Sequence, residues 1–180
     1  MRSKTFLFIS IVILAIGAIV WIFSGGRPSR FEPAVTAFDE CVTRGFPVME
    51  SYPRQCKDDE GNSFTEDIGN TLEKTDLIRV TTPSPNIIVK SPLSISGEAR
   101  GYWFFEASFP IKVLDGNGTV LGIGIAQATT EWMTEDFVPF STTIVFNVPG
   151  TRRGTLVLQK DNPSGLPKHD DELRFPIVFE

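Results

Sequence analysis

A single histidine marks the first place in this sequence where catalytic chemistry can be sought. His169 is the only histidine among the 180 residues, and it stands directly before Asp170 and Asp171. A Ser-His-Asp catalytic triad also needs a nucleophile on a defined turn and an oxyanion hole. The sequence has no G-x-S-x-G motif, so we interpret His169 as a solvated loop residue.

Three carboxylates offer a second opportunity for catalysis. Glu98, Glu106 and Asp115 would suit glycoside hydrolysis if two of them lay about 5–9 Å apart across a cleft. They fall on or beside predicted strands, whereas the sites of β-sandwich proteins lie in loops. We expect Glu98 to face solvent, Glu106 to pair with Arg100 or Lys112, and Asp115 to begin a turn. The sequence therefore predicts no catalytic residues, no cofactor and no enzyme activity.

Residues 58–62 (Asp-Asp-Glu-Gly-Asn) carry the oxygen-bearing side chains that calcium prefers. An EF-hand loop needs such ligands at alternate positions, with Gly at the sixth and Glu at the twelfth. This stretch does not keep that register. We predict a solvated acidic turn and no metal site.

The two cysteines, Cys41 and Cys56, lie close together in an acidic segment. Two cysteines without a nearby histidine make a poor zinc site, because zinc normally takes three or four protein ligands. In an extracytoplasmic segment such a pair is typical of a disulfide. Closing a loop of about 15 residues would stabilise the fold by roughly 3 kcal/mol.

Four consecutive aromatic residues occupy positions 102–105. On a strand, alternate side chains point to opposite faces, so one pair would enter the core and the other would face away from it. We predict that Trp103 is a core residue. Tyr102 and Phe104, together with Trp132, form a candidate binding surface for sugar rings or a peptide; the alternative is that they pack under a loop.

The elements that must position these residues are short strands. From Leu77 onward, apolar residues alternate with polar ones, and Pro176 places the last strand at an edge or turns that face outward. A hairpin turn is predicted at residues 115–118, and a short helix at residues 36–40, running into Cys41. The predicted strands cover residues 78–81, 87–90, 93–98, 103–114, 120–126, 143–148, 156–159 and 173–179. Their number and spacing predict an all-β fold, an antiparallel β-sandwich of immunoglobulin type.

The same region carries a recognisable set of residues. These are Ser91-Pro92, residues 96–99 (Ser-Gly-Glu-Ala), Trp103, Phe105-Glu106, Asp115, Trp132, Phe140 and residues 161–165 (Asp-Asn-Pro-Ser-Gly). Together they resemble the bacterial spore-germination immunoglobulin-like domain family, the second of the Gmad domains, over residues 77–180. The resemblance implies an immunoglobulin-like fold at the cell envelope and carries no catalytic activity.

Residues 5–23 form an uncharged apolar run with basic residues on both sides. About 18 such residues are enough to cross a bilayer as a helix. The alternative is a cleaved signal peptide, but its apolar core is shorter, about 7–15 residues. We predict an uncleaved single-pass anchor with a cytoplasmic N-terminus and an extracytoplasmic C-terminal domain.

Charge divides the chain into three parts: the anchor and linker (residues 1–30), an acidic segment with the cysteines (31–76) and the sandwich (77–180). The acidic segment has eleven acidic and four basic side chains. No basic patch follows the anchor, so we predict no nucleic-acid partner. The function predicted is a membrane-anchored binding or structural module with an envelope protein or wall polymer as its partner. The alternatives are a protein that binds or hydrolyses wall carbohydrate, and an inhibitor or sensor built on the cysteine segment.

Overall fold

A computed structural model of the chain describes residues 33–180. The membrane anchor predicted at residues 5–23 lies outside the described residues. Among the residues that are described, no helix has both the length and the apolar character needed to span a bilayer.

The described residues form short helices and strands, with the strands concentrated after residue 77. In chain order the elements are α1 (Phe38–Thr43), β1 (Val48–Met49), β2 (Gln55–Lys57), β3 (Ser63–Thr65), α2 (Thr71–Lys74), β4 (Ile78–Thr82), β5 (Ile88–Val89), β6 (Leu93–Arg100), β7 (Ser108–Asp115), β8 (Val120–Ala128), β9 (Phe137–Ile144), β10 (Arg153–Gln159) and β11 (Glu172–Phe179). Short 3₁₀ turns lie at Gly101–Trp103 and Pro167–His169.

Strands β4 to β11 follow the order β4-β6-β9-β8-β7-β10-β11-β5. Every pairing is antiparallel except that of β5 with β11, which is parallel. Strands β8 and β9 are paired only where Gln127 and Ala128 meet Ser141 and Phe140. This short join divides the strands into two layers, β4-β6-β9 and β8-β7-β10-β11-β5, as in an immunoglobulin-like sandwich.

The core lies between these two layers. Alternate residues of β7 and β11 are buried, as the period of two predicts. The Phe109 ring of β7 packs edge-on against Phe140 of β9 at 4.9 Å and against Phe104 at 5.1 Å. Trp103 is fully buried in the same cluster. The layers are therefore joined by aromatic packing, with no cysteine in the sandwich.

The predicted strand over residues 103–114 is wrong in its first part. Trp103 ends a 3₁₀ turn and does not lie on a strand, and β7 begins only at Ser108. Gly101 accounts for the turn, because its N–H donates to the carbonyl of Asp136 at 3.1 Å. This hydrogen bond holds the backbone of Gly101 against the connection between β8 and β9, so residues 101–103 do not pair with a neighbouring strand. Sequence periodicity does not register such a contact.

The strand predicted over residues 143–148 is wrong after Ile144. Strand β9 ends at Ile144, and the next backbone N–H groups go elsewhere. The N–H of Phe146 donates to the Ser91 hydroxyl at 3.0 Å, and that of Asn147 donates to the Leu121 carbonyl at 3.0 Å. Val145 and Val148 are left exposed. The alternating pattern therefore belongs to a loop that side-chain and backbone bonds hold in place.

The last strand, β11, does not lie at the edge of its layer, because β5 pairs with its outer side, but Pro176 faces away from the inner ladder as the second alternative predicted. It pairs with Thr155 of β10, but its carbonyl accepts from Asn86 at 2.8 Å, on the side away from β10. The nitrogen of Pro176 lies on the same side of the strand as its carbonyl, away from β10. Its missing N–H therefore removes no hydrogen bond between β10 and β11.

The cysteine segment is built onto the edge of β11. Residues Thr36–Glu180 form one compact unit, although the sequence predicts the segment and the sandwich as separate parts. The Asn70 N–H donates to the carbonyl of Arg174 at 3.1 Å, while the Asn70 side chain accepts from the N–H of Arg174 at 2.8 Å. The Asn70 amide also donates to the Glu172 carbonyl at 2.9 Å. One asparagine thus covers backbone groups that a strand edge otherwise exposes.

Within that segment, Cys41 of α1 and Cys56 of β2 form a disulfide with Cα atoms 6.1 Å apart. Both cysteines are fully buried. The predicted short helix is present as α1, and its first turn carries Asp39 and Glu40, which favour a helix N-terminus. The bridge joins the helix to the middle strand of the small β1-β2-β3 sheet.

Candidate functional site

Three loops meet at one end of the sandwich, which we call the apical end. They are the β6–β7 connection (residues 101–107), the β8–β9 loop (129–136) and the β10–β11 loop (160–171). Gly101 bonds to Asp136 of the second loop, and the N–H of Asp161 in the third donates to the Trp103 carbonyl at 3.0 Å. These bonds tie the loops into one surface, the usual place for binding residues on a rigid sandwich.

Gly101 lies at the closest approach of two of these loops. A Cβ atom built on it would lie 1.9 Å from the carbonyl oxygen of Thr134 and 2.4 Å from that of Trp132. No side chain fits there, so the glycine permits the β8–β9 loop to close over the β6–β7 connection. This closure fixes the position of Trp132 and its neighbours.

A tight hairpin at residues 105–108 forms the rim of the apical end. Phe105 and Ser108 exchange two backbone hydrogen bonds, of 2.9 and 3.0 Å. The two residues between them, Glu106 and Ala107, have φ values of 48° and 61°. Such turns normally use Asn-Gly, and a left-handed conformation costs other residues about 1–2 kcal/mol each. Residues held in this conformation cluster at functional sites, which directs attention to the side chains around them.

The apical end exposes four large apolar side chains. Met133 is 74% exposed, Tyr102 and Leu166 49% each, and Phe105 41%. Trp132 is half-buried and packs against the core. Phe104 is only 4% exposed, so its predicted place on the binding surface is wrong. The physical reason is the 3₁₀ turn: side chains do not alternate there, and both Trp103 and Phe104 point inward.

A family model described as the immunoglobulin-like domain of bacterial spore germination matches residues 77–166. The match covers half of the chain and all strands from β4 to β10. The chain belongs to this family. No curated protein and no solved structure gave a match. The spore-germination immunoglobulin-like domain therefore includes two of the three apical loops and the first part of the third, up to Leu166.

The apical loops of this germination-type domain are strongly acidic. The exposed or half-exposed acidic residues of the three loops are Glu106, Glu131, Glu135, Asp136, Asp161, Asp170 and Asp171, against Lys160 and Lys168. The apolar side chains of Tyr102, Phe105 and Met133 lie on these same loops. Exposed apolar side chains bordered by polar groups are typical of protein interfaces.

Two arginines pack against Phe137, the residue that follows the β8–β9 loop. The guanidinium groups of Arg79 and Arg100 each lie 4.1 Å from the ring centre of Phe137, at the start of β9. Arg100 also donates to the backbone carbonyls of Asp76 and Glu135, at 3.0 and 3.2 Å. Because these cations are engaged with a ring and with carbonyls, they brace the β8–β9 loop.

His169 lies on the third loop, beyond the family match. Its Nδ1 is 3.3 Å from the hydroxyl oxygen of Ser164. The Asp170 carboxylate accepts from the Asn162 amide at 2.7 Å, and the Ser164 hydroxyl also donates to Asn162. All these bonds run within the exposed loop. Asn162, and not His169, is the partner of Asp170, so these residues brace the loop and do not form a triad.

The three carboxylates considered for glycoside hydrolysis are not brought together. Glu98 pairs with Arg79 at 3.1 Å, and Glu106 is on the apical hairpin. Asp115 lies at the far end of β7, seven residues from Ser108 or roughly 23 Å along the strand. Its Oδ1 accepts from the N–H groups of Thr119 and Asn117, at 2.8 and 2.9 Å. These bonds, from Thr119 first, lower the pKa of Asp115 and fix the predicted hairpin turn.

The acidic turn in the cysteine segment is closed by its own hydrogen bonds. The Asp58 carboxylate accepts from the backbone and the side chain of Asn62, at 2.8 and 2.9 Å. Burial opposes ionisation of Asp58, but the bonds from Asn62 outweigh it and lower the pKa of Asp58. Within residues 33–180, no group of three His, Cys, Asp or Glu residues is arranged to hold a metal ion.

Proposed function

We propose that this chain is a membrane-anchored module of the bacterial envelope that binds a partner through the apical end of its immunoglobulin-like domain. The uncharged run at residues 5–23 supports the anchor. The disulfide between Cys41 and Cys56 supports an extracytoplasmic location, since such bonds persist in oxidising compartments. The role is binding and not catalysis.

The observation that carries this proposal is the composition of the apical end. Exposed Tyr102, Phe105 and Met133 lie on loops in which acidic residues outnumber basic ones. A partner with Lys or Arg side chains around an apolar residue would complement both features. An anionic wall polymer would be repelled by the same loops. We therefore propose a basic segment of an envelope protein as the ligand.

Site-specific photo-cross-linking tests this assignment. A photoreactive residue at Met133 would probe the apical end, and one at Ile123 would be the matched control. Ile123 is 61% exposed but lies in the middle of β8, away from the apical loops. The full chain in bilayer discs would be mixed with a Lys/Arg-rich peptide containing one aromatic residue, with its Asp/Glu counterpart, or with wall polysaccharide.

We expect cross-linking at Met133 to the basic peptide only, weakened by salt and by the substitution Tyr102→Ala. Equal yields at Met133 and Ile123 would show that the apical end has no preference, and the proposal would be wrong. Capture of polysaccharide in place of the basic peptide would assign the end to carbohydrate binding instead.

A further inference from the structure

The opposite end of the sandwich, which we call the basal end, consists of residues 87–92, 115–120 and 145–152. The Gly116 N–H donates to the Thr151 hydroxyl at 2.7 Å, and the N–H of Phe146 donates to the hydroxyl of Ser91 at 3.0 Å. The ring of Phe146 lies 5.6 Å from that of Phe179. These contacts join the three segments into one continuous surface.

This surface exposes aliphatic side chains to an unusual degree. Val148 is 92% exposed, Val145 74% and Ile88 63%. Ile88, Val148 and Arg152 line one open groove of about 660 Å³. Arg152 is itself exposed and has no ion-pair partner among the described residues, whereas the Lys90 ammonium lies 4.0 Å from the Glu180 carboxylate at the same groove. Exposed aliphatic tips next to cationic side chains are the combination that suits a membrane interface.

The chain enters the compact unit at this same end. Asp39 in α1 forms an ion pair with Arg153, the first residue of β10. Thr36, where the compact unit begins, lines a groove together with Asp39 and Arg153. The basal end is thus the end of the sandwich that lies nearest in the chain to the apolar run at residues 5–23.

Twelve residues, 24–35, separate the apolar run from the compact unit. Fully extended, they reach at most about 40–43 Å. The eight residues of β11 add about 27 Å between the basal and apical ends. The linker can reach farther than the length of the sandwich, so the surface chemistry of the two ends decides which one meets a bilayer that holds the run. The acidic apical loops would be repelled from an anionic lipid surface, whereas the basal end would not.

We infer that the basal end rests on the lipid surface, with Val148 and Ile88 entering the interface and Arg152 at the level of the lipid phosphates. This inference rests on the membrane anchoring proposed above. It fixes the orientation of the domain, so that the apical end, which binds the partner, points away from the membrane.

Spin-label accessibility in liposomes tests the inference. The full chain would carry Val148→Cys with a nitroxide label, in vesicles of phosphatidylglycerol and phosphatidylethanolamine. Met133→Cys is the matched control, since Met133 is 74% exposed at the apical end. The native cysteines are both in the disulfide, so labelling is specific. The measurement compares the collision rates of each label with oxygen and with a water-soluble nickel chelate.

We expect the label at Val148 to collide more often with oxygen, and the label at Met133 to collide more often with the nickel chelate. In a second experiment, the substitution Val148→Asp should increase the collisions of a label at Ile88 with the nickel chelate. Equal preference for nickel at both positions would overturn the inference. Water exposure in liposomes with protection in native membranes would also overturn it, assigning the basal end to a protein partner. Flotation of the vesicles reports anchoring separately: a chain that does not float contradicts the proposed function, whereas a floating chain with a water-exposed Val148 contradicts only this inference.

Discussion

Trp103 provides the most direct test of how this fold is held together. The side chain has no exposed surface, and its indole Nε1 has no hydrogen-bond partner among the described residues. Burying a tryptophan removes about 150–250 Å² from water, or roughly 4–6 kcal/mol at about 25 cal/mol per Å². An unpaired buried N–H subtracts about 1–3 kcal/mol. We therefore predict that Trp103→Ala lowers the free energy of unfolding by about 3–5 kcal/mol, as for other buried tryptophans.

The same numbers predict a milder effect for Trp103→Phe. Phenylalanine retains most of the apolar contacts and removes the unpaired N–H, so we expect a loss of about 1 kcal/mol. Tyr102→Ala is the control. Tyr102 is adjacent in the chain but half-exposed, and surface changes of this kind stay within about 0.5 kcal/mol.

Urea denaturation of the full chain in mild detergent, followed by the strand signal in far-ultraviolet circular dichroism, would measure all three variants. A domain of this size has a total stability of about 5–15 kcal/mol, so the alanine variant should be largely unfolded or sharply destabilised. A loss below about 1 kcal/mol for Trp103→Ala, no larger than that of Tyr102→Ala, would refute the burial argument.

Three further predictions concern the cysteine segment and the apical hairpin. Replacing both Cys41 and Cys56 with Ser should lower the free energy of unfolding by about 3 kcal/mol for a loop of this length. In urea denaturation, a reductant should lower the free energy of unfolding of the native chain by the same amount and leave that of the double variant unchanged. Hydrogen bonds from Arg54, at 2.6 and 2.8 Å, lower the pKa of Glu66 below its usual 4.5, so this stabilisation is present above about pH 4.5 and is lost as the pH falls through the folded-state pKa. Thermal melting should therefore show a weaker acid-induced loss in Glu66→Gln than in the native chain, and identical acid limbs would contradict this. Ala107→Gly should raise the unfolding free energy by about 0.5–1 kcal/mol, the left-handed penalty less the backbone entropy of glycine; a lower midpoint in urea would show that the hairpin is unstrained.

The strands that the sequence predicted well are those in which local pattern and tertiary position agree. Strand β11 alternates strictly, and its buried residues are the predicted ones. The hairpin after Asp115 follows from the residues of the turn itself. In both cases the deciding contacts lie within a few residues, so periodicity and turn chemistry were sufficient.

The errors arose where a distant group decides the local structure. Residues 143–148 alternate like a strand, yet β9 ends at Ile144 and the N–H of Phe146 donates to the Ser91 hydroxyl. Strand alternation made Phe104 a candidate for an exposed binding surface, but the contact of Gly101 with the β8–β9 loop replaces the strand with a turn. Met133 escaped notice as a candidate binding residue because one exposed residue in a loop leaves no periodic signal. The candidate site depends on loop contacts across the fold, whereas the sandwich depends mostly on patterns along the chain.

The bridge between Cys41 and Cys56 has a mechanical consequence. A pull applied through Thr36 first loads the ion pair between Asp39 and Arg153. It then reaches Cys41 and passes through the sulfur atoms to Cys56, so residues 42–55 carry no load. The length withheld from extension is about 50 Å. Force next meets the bonds of Asn70 along the edge of β11, before it reaches the strands of the sandwich. Under tension, the covalent bridge limits how far the cysteine segment can extend, and the contacts of this segment with β11 are loaded before the strand pairs of the immunoglobulin-like core.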